Sequence, residues 1–288
     1  MLIAKAEPGP GAPSAGRSER LEGWTRAISA PRHYLAEPRE NRRVRDLLAD
    51  ELRSFGYEVS LTDSCDNVVA LPAGGAAPTL VGAHYDSVPG TPGADDNASA
   101  VAVLLESARE LAGAAPVGFV AFNREEEGLL GSREFAEHLP RNLPARPQQV
   151  HVLEMLGYCS REEGSQASPL PFKLPGMPTT GDFLGLLADH RSRRLLDQVV
   201  RCGRGLPGGP KVVGLKALFG AHRCLPNLER SDHAPFWAQG VPALMWTDTA
   251  EFRNANYHLP SDTPDTLDYG FMASISELLL KVLGVPVG

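Results

Sequence analysis

Imidazole and carboxylate groups recur at one kind of place in this chain. An apolar run, Leu80 to Ala83, ends on His84, and Asp86 follows two residues later. A Pro/Gly-rich loop then closes on Asp95-Asp96-Asn97, where an apolar-periodic segment begins. A second apolar run, Val117 to Phe122, leads into Asn123-Arg124-Glu125-Glu126-Glu127. A third, Gln149 to Met155, carries Glu154, and His258 stands in a later polar loop. Imidazole nitrogens and carboxylate oxygens together suit zinc, and there are more of them than one tetrahedral ion needs. Two ions about 3.5–4 Å apart, sharing one carboxylate, would use them all. A carboxylate beside the ligands could then act as general base on a water. No cysteine neighbours these groups, which argues against a structural zinc site.

Taken singly, most of these residues have an ordinary reading. A histidine after a strand is commonly hydrogen-bonded without a metal. Asp95-Asp96-Asn97 suits a loop ending in an N-cap, with negative charge favoured at a helix N-terminus. Glu125 to Glu127 alone is a solvated charge run, and His258 alone says nothing. Glu154 is different, because a carboxylate inside VHVLEML is costly unless paired or metal-bound. The ordinary readings weaken because all five positions fall at the ends of elements that should be neighbours.

Those elements follow from periodicity. Val44, Leu47, Leu48, Leu52 and Phe55 mark a helix over 40–55, closed by Gly56. Tyr57 to Leu61 and Asn67 to Leu71 read as a hairpin, followed by the His84 strand. Asn97 is expected to cap a helix bearing Val101, Leu104, Leu105, Ala108 and Leu111. Val117 to Phe122 is wholly apolar, as in a parallel sheet covered on both faces. Helices over 130–138, 192–202 and 270–283, a short one opening at Ser231-Asp232-His233, and strands over 149–155, 211–215 and 241–247 complete the pattern. Residues 160–181 form a long Pro-rich connection, a kind that is often functional. Strands and helices alternate. The expected fold is α/β, a single domain with a mixed, mostly parallel central sheet and helices on both faces. Residues 1–18 read as a flexible N-terminal tail and 19–288 as one catalytic domain. No GxGxxG opens a helix, so a dinucleotide-binding reading has no support.

Composition bounds the partners. A net charge of -7 and a pI near 5.6 argue against a nucleic-acid binder. No apolar window is long enough to span a membrane, and the first twenty residues lack the apolar core of a signal peptide. A cytoplasmic location is the expectation. Cys65, Cys159, Cys202 and Cys224 show no CxxC spacing and read as free thiols, with a Cys202–Cys224 bridge only in an exported protein.

Four stretches together resemble the co-catalytic zinc exopeptidases of metallopeptidase family twenty-eight in clan H. They are GAHYDSVPGTPGADDNAS (82–99), FVAFNREEEGLLGS (119–132), VLEMLGY (152–158), and RSDHAPFWAQGVPAL with YHLPSDTPDTLDY (230–244 and 257–269). That family includes bacterial leucyl aminopeptidases, glutamate carboxypeptidase and glutaminyl cyclases. The resemblance implies two Zn2+ ions bridged by Asp96. His84 and Glu154 would complete one ion, Glu126 and His258 the other. Glu125 would be the general base for a bridging water, and Asp86 would fix the His84 tautomer from behind. Glu154 stands where aspartate is frequent in the family, and Ala100 where a helix glycine is usual. Glu127 is expected to face water. Asp232 and His233 would help form the pocket floor, or Ser231-Asp232 a helix cap. Arg230 would meet a substrate carboxylate or a surface partner.

The resemblance implies an aminopeptidase acting on a short peptide or amide substrate. Alternatives are a dedicated amidohydrolase or dipeptidase, a glutaminyl-cyclase-like transferase, and a binding protein that has lost its metals. The last predicts missing ligands, and none is missing. Phe236, Trp237, Met245, Phe252 and Tyr257 are candidates for an apolar side-chain pocket, with core packing as the alternative for each. The 160–181 loop would cap the cleft.

Overall fold

A computed structural model describes residues 1–62, 64–112, 115–172, 175–220 and 225–284. Among the described residues nine strands form one sheet in the order β1-β8-β7-β9-β6-β4-β5-β3-β2. The strands are β1 (Leu2–Ala6), β2 (Glu58–Leu61), β3 (Val68–Leu71), β4 (Thr79–His84), β5 (Val117–Phe122), β6 (Gln149–Glu154), β7 (Phe183–Asp189), β8 (Lys211–Ala217) and β9 (Ala243–Thr247). The helices are α1 (Ala15–Ile28), α2 (Pro38–Ser54), α3 (Ala100–Leu111), α4 (Leu130–Glu137), α5 (Leu139–Asn142), α6 (Arg193–Gly203), α7 (His233–Ala238) and α8 (Tyr269–Val282).

The sheet is mixed, as expected, but half of its pairings, and not most, are parallel. Its centre, β9-β6-β4-β5, is parallel throughout, and β7 runs parallel to β8. The hairpin β2-β3, the β3-β5 pair, the β7-β9 pair and the edge strand β1 supply antiparallel pairings. Parallel order in the centre puts the carboxyl ends of β4, β5, β6 and β9 on one edge, where an open α/β sheet binds ligands.

Alternate residues of the central strands feed two cores. Val81 and Ala83 of β4, with Phe119 and Ala121 of β5, pack under α1, α2, α3, α6 and α8. Leu80, Val120 and Phe122 face the other way, with Phe135 and Ala136 of α4, Leu139 of α5 and Phe236 of α7. Helices therefore cover both faces. Both sides of each central strand are buried, which is why their sequences are continuously apolar.

The expected tail over 1–18 is instead built into the fold. Leu2–Ala6 pairs antiparallel with β8 in the register Leu2↔Lys216 to Ala6↔Val212. Helix α1 starts at Ala15 and docks through charge as well as through Leu21 and Ile28. Glu106 of α3, fully buried, receives Arg17 and Arg20 of α1 and Arg109 of its own helix. Strand β7 was not anticipated at all. Cys65, Cys159 and Cys202 are free thiols, and Cys224 lies outside the described residues. Among the described residues no helix is long and apolar enough to cross a membrane.

Candidate metal centre

Each predicted ligand arrives at the carboxyl edge from a different element. His84 is the last residue of β4 and Glu154 the last of β6. Glu125 and Glu126 lie in the turn between β5 and α4, Asp96 in the wide turn Ala94–Ser99, and His258 in the loop before α8. The fold brings all six together. His84 Nε2 lies 3.3 Å from Asp96 Oδ1 and 3.5 Å from Glu154 Oε1. On the other side, His258 Nε2 lies 3.1 Å from Asp96 Oδ2 and 3.3 Å from Glu126 Oε2. The two oxygens of Asp96 thus face two different imidazoles. Glu125 Oε2 stands 4.0 Å from His84 Nε2, on the Glu154 side.

This arrangement fits a divalent metal better than a hydrogen-bonded network. His84 is 1% exposed, yet neither of its ring nitrogens has a well-aligned hydrogen bond, and Glu126 Oε1 has none either. Buried polar atoms left so are costly unless something else satisfies them. Ligand atoms of His84, Glu125 and Glu154 lie within 4.8 Å of one another, and so do those of His84, Asp96 and Glu126. Imidazole with carboxylates is a zinc donor set, with positions left for water and substrate.

Electrostatics says the same. Burial favours neutral groups here, but the mutual charges are stronger for the histidines. Against burial, the Glu154 and Glu125 carboxylates hold His84 charged well above its usual range. Against burial too, Asp96 and Glu126 raise His258 to about 10. Burial would lift Asp96, but His258 and His84 outweigh it and hold it below the usual carboxylate range. Burial, with the charge of Asp96, pushes Glu126 up to about 7. Burial likewise raises Glu125 well above an ordinary carboxylate, with Glu154 and Asp232 adding to the effect. Without cations, the cluster is balanced only by holding protons.

A second layer fixes these groups. Asp86 Oδ1 lies 3.4 Å from His84 Nδ1, and the same carboxylate accepts the backbone N–H of Glu125 at 3.1 Å and of Glu126 at 3.3 Å. Asp262 accepts the N–H groups of Asp95 and Asp96. Ser231 Oγ donates to Glu154 Oε2 at 2.6 Å, and the Tyr257 ring stacks on His258 at 3.8 Å. Asn97 is not the expected N-cap. Ser99 holds that position, and the Asn97 amide instead donates to Leu153 O and accepts from Met155 N, tying the Asp96 turn to the end of β6. Arg124, Met155 and His258 all have φ between 47° and 62°. Left-handed non-glycine residues are costly and gather at functional sites.

Other expectations divide. Glu127 does not simply face water: His33 Nε2 contacts its Oε1 at 2.9 Å. Asp232 is fully buried at the start of α7 but makes no side-chain cap bond. His233 meets Leu228 O and packs edge-on against Trp237. Arg230 pairs with Glu251 and donates to the Tyr257 hydroxyl at 3.1 Å.

A cavity of about 120 Å³ opens beside Asp96, Glu125 and Glu154. Its walls are mostly apolar. Strands supply Leu187, Val213, Leu215 and Met245, and loops supply Pro169 and Phe252. Of the candidates, Met245, Phe252 and Tyr257 line it, whereas Phe236 packs on Phe122 and Phe135 and the Trp237 indole donates to Ala243 O, within the core. Pro169 and Met177 bring the 160–181 loop to the cavity, and Gln166 pins that loop to Thr249 and Arg253. The β7 residues were missed because β7 itself was missed.

Comparison with known proteins agrees with the geometry. The model of peptidase family M28 matches residues 67–169 and 218–283. An uncharacterized Escherichia coli protein, YfbL, is 36% identical over 219 residues, 71% of this chain and 65% of its own length. The probable lipoprotein aminopeptidase LpqL of Mycobacterium tuberculosis is 43% identical over 234 residues, 70% of this chain and 41% of its own. The chain thus spans less than two thirds of either curated relative. Among solved structures, the LapA aminopeptidase of Legionella pneumophila superposes with a TM-score of 0.69 at 18% identity, over 92% of this chain and 70% of that one. A glutaminyl cyclase of Porphyromonas gingivalis gives 0.65 at 18% identity, over 92% of this chain and 97% of that one. At such identity these two structures speak to the fold alone.

Proposed function

The chain belongs to peptidase family M28, a family of zinc-dependent metallopeptidases, and from that premise we propose that it is an aminopeptidase working with two zinc ions. It removes an N-terminal residue with an apolar side chain from a short peptide. The observation that carries this reading is Asp96, with one oxygen 3.3 Å from the His84 imidazole and the other 3.1 Å from that of His258. When bound, zinc polarises the scissile carbonyl and brings the pKa of water toward 7.

The chain's own groups do the rest. Glu125 takes the proton of the attacking water and hands it to the leaving amine. Burial raises its pKa above that of an ordinary carboxylate, which favours its taking up a proton. Asp86 holds the backbone of Glu125 and Glu126 and so keeps base and ligand in register. The cavity lining includes Asp96, Glu125 and Glu154, so an ammonium group beside the scissile bond meets negative charge. The Arg230 guanidinium is committed to Glu251 and Tyr257, which leaves a substrate carboxylate without that partner and weighs against carboxypeptidase action. An apolar cavity of about 150 Å³ holds a benzene-sized group, so the smaller cavity here, about 120 Å³, suits an aliphatic side chain such as leucine or methionine.

A panel pairing free aminoacyl anilides with their N-blocked forms tests this, with and without chelator. Chelator-sensitive cleavage of the free-amine members, with leucyl above alanyl, is the expected result. Cleavage of only the blocked members would replace the reading with an amidohydrolase. Release of ammonia from N-terminal glutamine, with no anilide cleaved, would replace it with cyclase chemistry.

A further inference from the structure

Arg32 carries a charge that the mechanism does not use. The residue is fully buried, and its side chain makes no ion pair with any described residue. Every acceptor it meets is a neutral backbone carbonyl. Nε donates to Tyr85 O at 2.6 Å and Nη2 to Gly93 O at 2.9 Å, while Nη1 donates to Ala30 O at 3.1 Å and to Pro92 O. The Arg32 backbone N–H donates to Ser87 Oγ, which in turn donates to Thr91 O. The backbone carbonyl of Arg32 is held by the Asn41 amide.

The position of these acceptors matters. Tyr85 directly follows His84, and Gly93 stands three residues before Asp96. One guanidinium therefore grips both ends of the loop that joins these two residues. Gly93 closes the turn at φ 57°, and a Cβ there would lie 3.1 Å from Arg32 Nη1 and 2.3 Å from Asp96 O. The loop has been folded around the guanidinium with no spare space. A planar fork with five donors in fixed directions can template a loop in this way, whereas an ammonium group cannot. Burying an unpaired charge is costly. Burial accordingly lowers its pKa, and the charges of Asp86, Asp262, Asp96 and Glu126 counter that only in part.

We infer that Arg32 is a positioning residue that sets the spacing of His84 and Asp96 and thereby the zinc affinity of the centre. The inference rests on the two-zinc reading above. Partners that orient metal ligands at second hand typically change affinity by about 10–100-fold when removed. Arg32 acts on His84 and Asp96 together, so zinc facing either oxygen of Asp96 is held less tightly without it.

The test is zinc affinity, titrated against a competing chelating dye on the whole chain. Arg32→Lys and Ser87→Ala are compared with Arg20→Met, which breaks the remote Glu106 cluster. Circular dichroism shows that each variant is folded before titration. Arg32→Lys is expected to weaken zinc at least tenfold although it keeps the charge, and Ser87→Ala is expected to weaken it by a smaller factor. Arg20→Met is expected to lower the melting temperature without moving the affinity. Unchanged affinity in folded Arg32→Lys and Ser87→Ala would overturn the inference. If Arg32→Lys does not fold, Ser87→Ala decides alone, with unchanged affinity against the inference and weakened affinity for it. A wild-type chain that takes up no zinc would instead overturn the two-zinc reading.

Discussion

Asp96 is the residue on which both halves of the centre depend. Its substitution by alanine is therefore expected to abolish zinc at both positions, whereas His84→Ala removes one ligand from the Glu154 side. Metal analysis of the dialysed proteins separates these outcomes. Glu154 differs from the family's frequent aspartate by one methylene, and Ser231 holds its outer oxygen. Glu154→Asp should retain zinc with affinity reduced about tenfold, as the shorter side chain gives up that bond. His84, Asp96, Glu126 and Glu154 were legible because each ends or follows a recognisable strand or precedes a helix, whereas His258, in a polar loop, was placed only by the family resemblance. Arg32 was not legible. Its side-chain partners at Tyr85, Pro92 and Gly93 lie 53 to 61 residues away, and nothing in the local sequence distinguishes it from the many surface arginines. Asn97 misled for a related reason. An amide before a helix usually caps it, but here the amide is taken by the end of β6.

At the scale of elements, the central strands were readable because burial on both faces makes them continuously apolar. The peripheral ones were not. FLGLLAD of β7 is as continuously apolar as the central strands, but it follows a long Pro-rich connection with no turn signal to mark where a strand begins. LIAKA of β1 becomes a strand only by pairing with β8, over two hundred residues away in sequence. Helix α1 has a weak apolar stripe and docks through arginines onto Glu106. Two outcomes follow. Val213→Phe in β8 should fill the cavity and cut the preference for leucyl over alanyl anilide about tenfold in kcat/KM, the size of discrimination that a small change in pocket volume produces. Deleting residues 1–8 removes a sheet edge, and should lower the melting temperature by roughly 5 °C in a scanning calorimeter while leaving zinc content unchanged.

For the whole molecule, metal binding and folding are linked. In the metal-free fold Glu126 keeps its proton to about 7, against 4.5 unfolded, and His258 to about 10, against 6.5. The folded state thus binds more protons than the unfolded one. The stability that these groups contribute is fully present below the unfolded values and is lost as pH rises through the folded ones. Asp96, shifted downward, acts in the opposite sense but only in acid. The chelated protein should therefore melt progressively lower between pH 5 and 8, while the zinc-loaded protein does not, so the gap between them widens with pH. Binding at 1,000 times Kd adds about 4 kcal/mol of stability, enough for the gap to be plain in a thermal scan. The account as a whole stands on a site that holds metal independently of its base. The most direct measurement is zinc content and turnover on one sample of Glu125→Gln. The account predicts two zinc ions per chain and a turnover reduced by at least about a hundredfold. Full turnover, or zinc lost together with turnover, would contradict it.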